Sequence, residues 1–258
     1  RHQIVSNGCI SGRASHRSPN LAQVPAARLQ YGQECRELFT VPKGWVLLGS
    51  DLSGLELRCM AHYCNDPEFT AQILSGDIHT YNAKAFGVDR PTAKTLIYAM
   101  SYGCGDALAG QIAGGDAKLG KELKANYDRE VPAFADLKKG ISRAFKRRGY
   151  LKGLDGRRLI IRGGSEHKCL SQLLQSAGAI LCKKWVALID HELKQISDQA
   201  YMVGWIHDEV QIACKSKEVA EHVGDITGRM AEEAGRAFQT NIPIASDFSV
   251  GTTWANTH

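Results

Sequence analysis

The order of apolar and polar residues predicts that the chain is built around one strand and the helix that follows it. Residues 45–48 form a short apolar run, and Leu55, Met60 and Ala61 begin a helical pattern soon after it. A run of this kind followed by helical periodicity is typical of a buried strand that leads into a helix. Asp51 therefore lies where the predicted strand ends.

A second pair of predicted strands carries an acidic turn. Residues 201–206 and 210–214 are strand-like apolar segments, and the sequence His-Asp-Glu at 207–209 separates them. This predicts a tight turn with Asp208 at its apex. Two carboxylates on neighbouring strand ends can hold two divalent cations about 4 Å apart, the arrangement used for in-line phosphoryl displacement. Asp51 and Asp208 are therefore candidate metal ligands.

Residues 89–103 are predicted to form a helix, because Pro91 stands in its first turn and Gly103 at its end. Four side chains spaced four residues apart form a stripe along it: Arg90, Lys94, Tyr98 and Tyr102. The cations and the helix N-terminus suit a triphosphate, and the aromatic rings suit a base or a sugar. The same spacing also fits an ordinary amphipathic surface helix, and the pattern alone leaves both interpretations open.

Most of the remaining chain is predicted to be helical. Apolar residues recur at helical spacing over residues 117–148, 169–195 and 217–236. A hairpin is predicted at residues 150–161 and a closing strand at residues 242–250. No internal repeat is present.

The first 36 residues are predicted to be loops, since they are rich in Gly, Ser, Asn and Pro and lack periodicity. Within them, Arg13, Asn20 and Gln23 have side chains that can reach phosphates or the minor-groove edges of a duplex. A plain surface loop explains the same residues equally well.

Composition excludes a disordered chain and a membrane-spanning one. Of the 258 residues, 43% are hydrophobic and 23% are charged, which is ordinary for a globular protein. No apolar run approaches the roughly 20 residues that a span requires, and the first residues resemble neither a signal peptide nor an initiator methionine. The chain is therefore expected to be cytoplasmic, without a membrane partner, and to be a piece of something longer.

Positive charge is concentrated in one segment. Residues 138–168 hold eleven basic residues against two acidic ones, although the net charge of the whole chain is only +5. These basic residues are called the basic block: Lys138, Lys139, Arg143, Lys146, Arg147, Arg148, Lys152, Arg157, Arg158, Arg162 and Lys168. Such a block is either a solvated face or a track for a phosphate backbone, and its density favours nucleic acid.

In their order and spacing, these stretches resemble the polymerase domain of family A DNA polymerases, the DNA polymerase I family, most closely its short-tailed-phage branch. The resemblance extends from about residue 11 to residues 254–258 at the C-terminus. Each matching stretch is short, and their combination is specific. The stretches are residues 11–13, 51–58, 76–80, 90–103, 153–158, 173–179 and 207–209.

The resemblance implies an α+β fold, the right-hand polymerase palm with helical fingers. Residues 1–75 would form the first part of the palm with DNA-contacting loops, residues 76–165 mainly the fingers, and residues 166–258 the second part of the palm. No stretch resembles the thumb or exonuclease domain, so both are expected to be absent. Without a thumb, primer-template affinity should be poor unless a missing N-terminal part is supplied.

The resemblance also assigns the metal site. Asp51 and Asp208, with the carbonyl of Leu52, would bind two Mg²⁺ ions that activate the primer 3′-hydroxyl and neutralise the triphosphate. Glu209 would be a further catalytic residue that supports this site from nearby.

For the incoming deoxynucleotide, the resemblance implies that Arg90, Lys94 and His79 hold the phosphates and that Lys94 protonates the leaving pyrophosphate. Glu56 and Tyr98 would crowd the sugar's 2′ position, with Tyr98 holding Glu56. In this family, Phe at position 98 rejects nucleotides that lack a 3′-hydroxyl, whereas Tyr accepts them.

Primer-template contacts complete the resemblance. Tyr102 would stack near the templating base, and Arg13, Gln175 and His207 would contact the end of the primer-template. The family usually has Asn four residues before the position of Gln175, and this chain has Ser171 there.

Three functions compete at this point. The leading hypothesis is a DNA-templated DNA polymerase, whole or as a catalytic fragment. A two-metal nuclease would also use Asp51 and Asp208, but it has no use for the stripe of cations and aromatic rings. A non-catalytic primer-template binding module is the third, and the presence of both aspartates and Lys94 disfavours it.

Overall fold

The computed structural model describes residues 2–75, 77–161 and 166–257. The chain divides into two compact units, and each is described by itself. Unit 1 contains Arg1–Leu55 and Gly178–His258, and unit 2 contains Glu56–Ala177. The predicted features at Gly76 and Arg162 lie outside the described residues.

Unit 1 is built on a four-stranded antiparallel sheet of β3 (Val46–Leu52), β6 (Ala200–Ile206), β7 (Glu209–Cys214) and β8 (Ser246–Gly251). The strand order across the sheet is β6-β7-β3-β8. The predicted strand before Asp51 and the predicted turn between two strands are confirmed. The closing strand begins later than predicted, because Pro243 has no N–H to donate to a ladder.

Two helices pack against one face of this sheet: α9 (Cys169–Leu193), through its second half, and α10 (Lys217–Ala237). The hydroxyl of Ser50 donates to Oγ1 of Thr227 at 3.0 Å, and the indole N–H of Trp185 donates to the Thr227 carbonyl at 2.9 Å. All three residues are fully buried. These paired polar groups therefore fix α9 and α10 on the sheet without an unsatisfied donor.

The C-terminal segment covers the opposite face. Its 3₁₀ helix, Trp254–Asn256, and Thr257 pack over β3 and β7. The backbone approaches so closely that a Cβ atom on Gly49 would lie 2.3 Å from the Thr257 carbonyl oxygen. Only glycine fits position 49 for this reason.

The N-terminal residues form more regular structure than the loops predicted for them. A small antiparallel hairpin joins β1 (Gln3–Val5) to β2 (Ser15–Arg17), and α1 (Gly32–Glu37) follows. These elements span only three to six residues. Elements this short give no detectable period in a sequence, so the prediction of loops was partly wrong.

Unit 2 is mainly helical. Its elements are α2 (Leu55–Cys64, beginning at the last residue of unit 1), α3 (Pro67–Leu74), α4 (Ile78–Phe86), α5 (Arg90–Ser101), α6 (Asp106–Ile112), α7 (Ala117–Glu130), α8 (Pro132–Arg148), the hairpin of β4 (Tyr150–Lys152) with β5 (Arg158–Ile160), and the start of α9. Within the described residues, no helix is long and apolar enough to cross a membrane.

Aspartates start several of these helices. Asp66, Asp77 and Asp89 each accept the backbone N–H three residues later, at 2.7–3.2 Å. Such caps satisfy amide groups that the first turn leaves without partners. The caps therefore fix where α3, α4 and α5 begin, and with them the residues of the stripe predicted on α5.

Candidate catalytic and nucleotide-binding residues

The first candidate site lies at one end of the unit 1 sheet. Asp51 is paired in register with Glu209 on β7, and the N–H of Leu52 donates to the Asp208 carbonyl at 3.1 Å. Asp51 is exposed and Asp208 is half-buried. The strand pairing thus brings Asp208 together with Asp51 and Leu52, although more than 150 residues of sequence separate it from them.

The turn that carries Asp208 has a constrained backbone. His207 adopts a left-handed conformation with φ of 55°. This conformation costs a residue other than glycine on the order of 1–3 kcal/mol, and it persists only where surrounding contacts offset that cost. Here the carbonyl of His207 accepts the indole N–H of Trp205 at 2.9 Å and the thiol of Cys182 at 3.1 Å. Two donors therefore hold the turn in place.

A small pocket lies beside this turn. Arg13, His207 and Asp208 all line it, so the structure brings together three residues that the sequence assigned to DNA and metal. Lys183 also lines the pocket and donates to Oδ1 of Asn7 at 2.5 Å. Sequence analysis missed Lys183, because a lysine on a long helix carries no distinguishing local pattern. Burial raises the pKa of the neighbouring Cys182 thiol to about 12, so this thiol is neutral.

Glu209 has different surroundings from the two aspartates. Its side chain is only 5% exposed, and its Oε1 accepts the indole N–H of Trp254 and the amide N–H of Gln211, both at 2.6 Å. Both partners are also buried. The carboxylate that follows Asp208 in sequence is thus engaged by the protein interior.

The chemistry of the donors fits magnesium. Mg²⁺ prefers oxygen ligands and is usually bound by one or two carboxylates together with substrate phosphates. Asp51, Asp208 and the Leu52 carbonyl provide such a set. Across the described part of the chain, no three side chains of His, Cys, Asp or Glu form a metal-binding cluster. A metal would therefore depend on the two aspartates and on oxygen atoms of a substrate.

The second candidate site lies in unit 2, on α4 and α5. Arg90 and Lys94 are exposed on α5, and the Nε of Arg90 lies 3.2 Å from Oδ1 of Asp77. The rings of His79 and Tyr98 are 6.1 Å apart. Burial lowers the pKa of His79, and the charges of Lys94 and Arg90 lower it further. Both cations therefore act electrostatically on His79, and the binding of a phosphate by these three residues stays a prediction.

Glu56 and Tyr102 form a second feature of unit 2. The hydroxyl of Tyr102 donates to Oε1 of Glu56 at 2.6 Å, which ties α2 to the end of α5. The sequence assigned the holding of Glu56 to Tyr98. The structure shows a hydrogen bond to Glu56 from the tyrosine one turn later, and a contact of Tyr98 with Glu56 stays a prediction. Tyr98 and Tyr102 share a helix face, and spacing alone could not distinguish them.

Two other predicted DNA-binding residues, Asn20 and Gln175, form local hydrogen bonds in the structure. Oδ1 of Asn20 accepts the N–H of Ala22 and caps the short 3₁₀ helix Leu21–Gln23. The side chain of Gln23, at the end of this helix, is exposed. The amide N–H of Gln175 donates to Oγ of Ser171 at 3.0 Å along α9. Contacts of Asn20, Gln23 and Gln175 with DNA stay predictions.

The basic block is partly neutralised. Four of its cations have carboxylate partners within 3.3 Å, in the pairs Lys138–Asp128, Lys139–Asp136, Lys146–Glu166 and Arg157–Asp155. Arg143, Arg147 and Arg148 are exposed at the end of α8, and none of them forms an ion pair with another described residue. The end of α8 therefore carries three exposed cations that no carboxylate among the described residues neutralises.

Comparison with known proteins supports one family. The family model described as DNA polymerase family A matches residues 2–256. A DNA-directed DNA polymerase of Enterobacteria phage T3 is 39% identical to the chain, and one of Escherichia phage T7 is 38% identical, each over 289 aligned positions. Both alignments cover 99% of this chain and 40% of the relative. The chain thus spans about two fifths of the length of these relatives.

A solved structure resembles the fold closely. The POL domain of Pol1 from M. smegmatis, in complex with DNA primer-template and dNTP, superimposes with a TM-score of 0.88 at 20% sequence identity. The similarity covers 99% of this chain and 48% of that one. At this level of identity the comparison supports the fold, and the antiparallel sheet with a helical second unit matches the predicted α+β architecture.

Proposed function

The chain belongs to DNA polymerase family A, and on this basis we propose that it carries the nucleotidyl-transfer site of a DNA-templated DNA polymerase. One observation supports this most directly. Asp51 and Asp208, each at the position that the resemblance assigns to a catalytic aspartate, come together at one strand end through the pairing of β3 with β7. The similarity to phage enzymes makes the cytoplasm of a host cell the proposed location.

Two Mg²⁺ ions are the proposed cofactors. Asp51, Asp208 and the Leu52 carbonyl would hold them. When bound, such ions activate the primer 3′-hydroxyl and neutralise charge on the triphosphate. The protein's own part is to fix the donors: the Leu52 N–H holds the Asp208 carbonyl, and Trp205 and Cys182 hold the preceding carbonyl of the turn.

Unit 2 supplies the proposed nucleotide contacts. Arg90, Lys94 and His79 would bind the phosphates, and Lys94 would donate a proton from Nζ to the leaving pyrophosphate. A phosphate beside His79 would offset the two cations that lower its pKa. Tyr98 would contact the sugar, and Tyr102 holds Glu56.

Primer-template DNA is the proposed macromolecular substrate. Arg13 and His207 line the pocket beside Asp208 and would contact the end of the primer strand. Asn20, Gln23 and Gln175 would add contacts to the duplex. The end of α8 would attract the phosphate backbone through charge.

Primer extension tests the proposal. The chain is incubated with a labelled primer-template and Mg²⁺, once with all four deoxynucleotides and once without nucleotides. We expect the primer to lengthen only when nucleotides are present. Shortening of the primer without nucleotides would identify a nuclease, and tight DNA binding with neither reaction would identify a binding module.

Glu56→Ala is expected to admit ribonucleotides. The carboxylate that Tyr102 holds would occupy the space of a 2′-hydroxyl, so its removal opens that space. Exclusion by one group in a closed site is worth about 10- to 200-fold. The preference for deoxynucleotides over ribonucleotides should therefore decrease by a factor in that range. The measurement is kcat/KM for each deoxynucleotide and its ribonucleotide. Glu68→Ala, at an exposed glutamate of α3, is the control, and an unchanged ratio in Glu56→Ala would place the exclusion elsewhere.

The end of α8 should make DNA binding salt-dependent. Replacement of Arg147 and Arg148 by Ala is expected to reduce the slope of log affinity against log salt by about 1.4–1.8, because each lost phosphate contact removes about 0.7–0.9. Fluorescence anisotropy over a salt series measures the slope. Replacement of Lys215 and Arg229, exposed cations of unit 1, is the control, and equal slopes in both variants would mean that the block is only a solvated face.

A further inference from the structure

The buried surroundings of Glu209 give the C-terminal segment a role in the proposed reaction. Trp254, Gln211 and Thr257 are each less than 5% exposed. The indole of Trp254 and the amide of Gln211 donate to Glu209 Oε1, and the hydroxyl of Thr257 donates to Gln211 Oε1 at 3.0 Å. Hydrogen bonds therefore connect the C-terminal segment to the residue directly after Asp208.

The segment itself is anchored from its other side. The guanidinium of Arg36 lies 4.2 Å from the centre of the Trp254 ring, and the ring of Phe39 meets it edge-on at 5.3 Å. The backbone N–H of Trp254 donates to the Phe39 carbonyl at 3.0 Å. Arg36 is in turn fixed by its hydrogen bond to the Pro25 carbonyl at 2.9 Å. Trp254 thus cannot shift without disturbing several buried contacts.

We propose that Trp254 is a positioning residue, which acts through Glu209 to hold the turn bearing Asp208, and that Glu209 is its anchor rather than a metal ligand. The proposal rests on the proposed polymerase function and deepens it. Both hydrogen bonds reach the same oxygen of Glu209, and an uncharged amide oxygen can accept them too. The charge of Glu209 also acts on the buried guanidinium of Arg36, whose pKa is lowered by burial and raised by Glu209. A glutamine at position 209 keeps that oxygen, whereas a phenylalanine at position 254 keeps the ring and removes the donor.

The two roles of Glu209 predict opposite results for Glu209→Gln. If Glu209 bound the metal, Glu209→Gln would reduce the rate of extension as much as Asp208→Asn does. If Glu209 is an anchor, the rate should fall no more than a few-fold, because glutamine still accepts both hydrogen bonds. Trp254→Phe should lower the single-turnover rate by about tenfold or more, the scale of one lost hydrogen bond to a charged group, with little change in nucleotide affinity. Trp45→Phe, outside this network, is the control.

The double variant separates positioning from independent damage. If Trp254 acts through Glu209, Glu209→Gln combined with Trp254→Phe should be no slower than Trp254→Phe alone. Thr257→Val, which removes only the outer hydrogen bond, should slow the rate by a smaller factor. It also keeps the proposal testable if Trp254→Phe does not fold, since an unchanged rate in Thr257→Val would then count against the network.

Hydrogen exchange provides a readout that does not depend on activity. In the protein without substrate, Trp254→Phe should speed exchange in the peptide covering residues 203–212, and Trp45→Phe should leave it unchanged. Three results would each overturn the proposal. Two concern Trp254→Phe: unaltered exchange, or a lower melting temperature with an unchanged extension rate. The third is a loss of rate in Glu209→Gln equal to that in Asp208→Asn. If the unmodified chain fails to extend primers, the polymerase function fails, while the exchange result still tests the contact.

Discussion

Asp51→Asn and Asp208→Asn should each reduce primer extension by roughly a thousandfold or more, a loss of about 4 kcal/mol in transition-state stabilisation. Each substitution keeps the size of the side chain and removes one negative charge from the proposed metal site. Asp51 is exposed and Asp208 half-buried, and asparagine has the size of aspartate, so the fold should be intact. Single-turnover extension with saturating nucleotide measures the rate, and circular dichroism checks the fold.

Asp225→Asn is the matched control for this prediction, since Asp225 is an exposed aspartate of α10 in the same unit. It is expected to extend primers at the rate of the unmodified chain. Near-normal extension by Asp51→Asn or Asp208→Asn would contradict the assignment of the catalytic carboxylates. A comparable loss in Asp225→Asn would point instead to a general effect of charge.

Local pattern was sufficient for the elements that carry the candidate site. The strand before Asp51, the turn at Asp208 and the helix that begins at Arg90 each have a signal contained within about fifteen residues: an apolar run, a break between two runs, or a capped amphipathic segment. Their positions were confirmed. The pairing of β3 with β7 was an inference from two strand ends, and the resemblance to a known family supported it.

Contacts between distant residues could not be read from such patterns. Glu209 and Trp254 are 45 residues apart, and Glu56 and Tyr102 are 46 apart. Neither pair has a spacing that marks it. The resemblance places Glu209 near the metal site as a supporting residue, but it does not say what the side chain contacts. Only tertiary packing shows its burial against Trp254 and Gln211.

The boundaries of the predicted palm and fingers stay a prediction for a related reason. The two compact units are defined by packing within the chain, with limits after Leu55 and Ala177. Both limits fall at or within single helices, α2 and α9. A continuous helical pattern contains no change of composition at such a point, so a sequence gives no sign of where one packed unit ends and the next begins.

Tyr98 is the residue proposed to contact the sugar of the incoming nucleotide. It follows Lys94 by one helical turn on α5, is half-buried, and has its ring 6.1 Å from that of His79. A nucleotide whose phosphates are bound by Lys94 and His79 would therefore place its sugar within reach of the Tyr98 ring. The phenolic oxygen is the one polar atom that distinguishes this side chain from phenylalanine.

The unmodified chain should incorporate dideoxynucleotides almost as readily as deoxynucleotides, and Tyr98→Phe should restore discrimination. The hydroxyl of Tyr98 would replace the polar contact that a missing 3′-hydroxyl leaves unmade, and an unpaired polar group in a closed site costs about 1–3 kcal/mol, or roughly 5- to 150-fold. Ordinary extension should change little. Single-nucleotide incorporation kinetics with both substrates on both proteins, and on Tyr81→Phe as a control, measure the ratio. Strong rejection of dideoxynucleotides by the unmodified chain would show that Tyr98 does not contact the sugar.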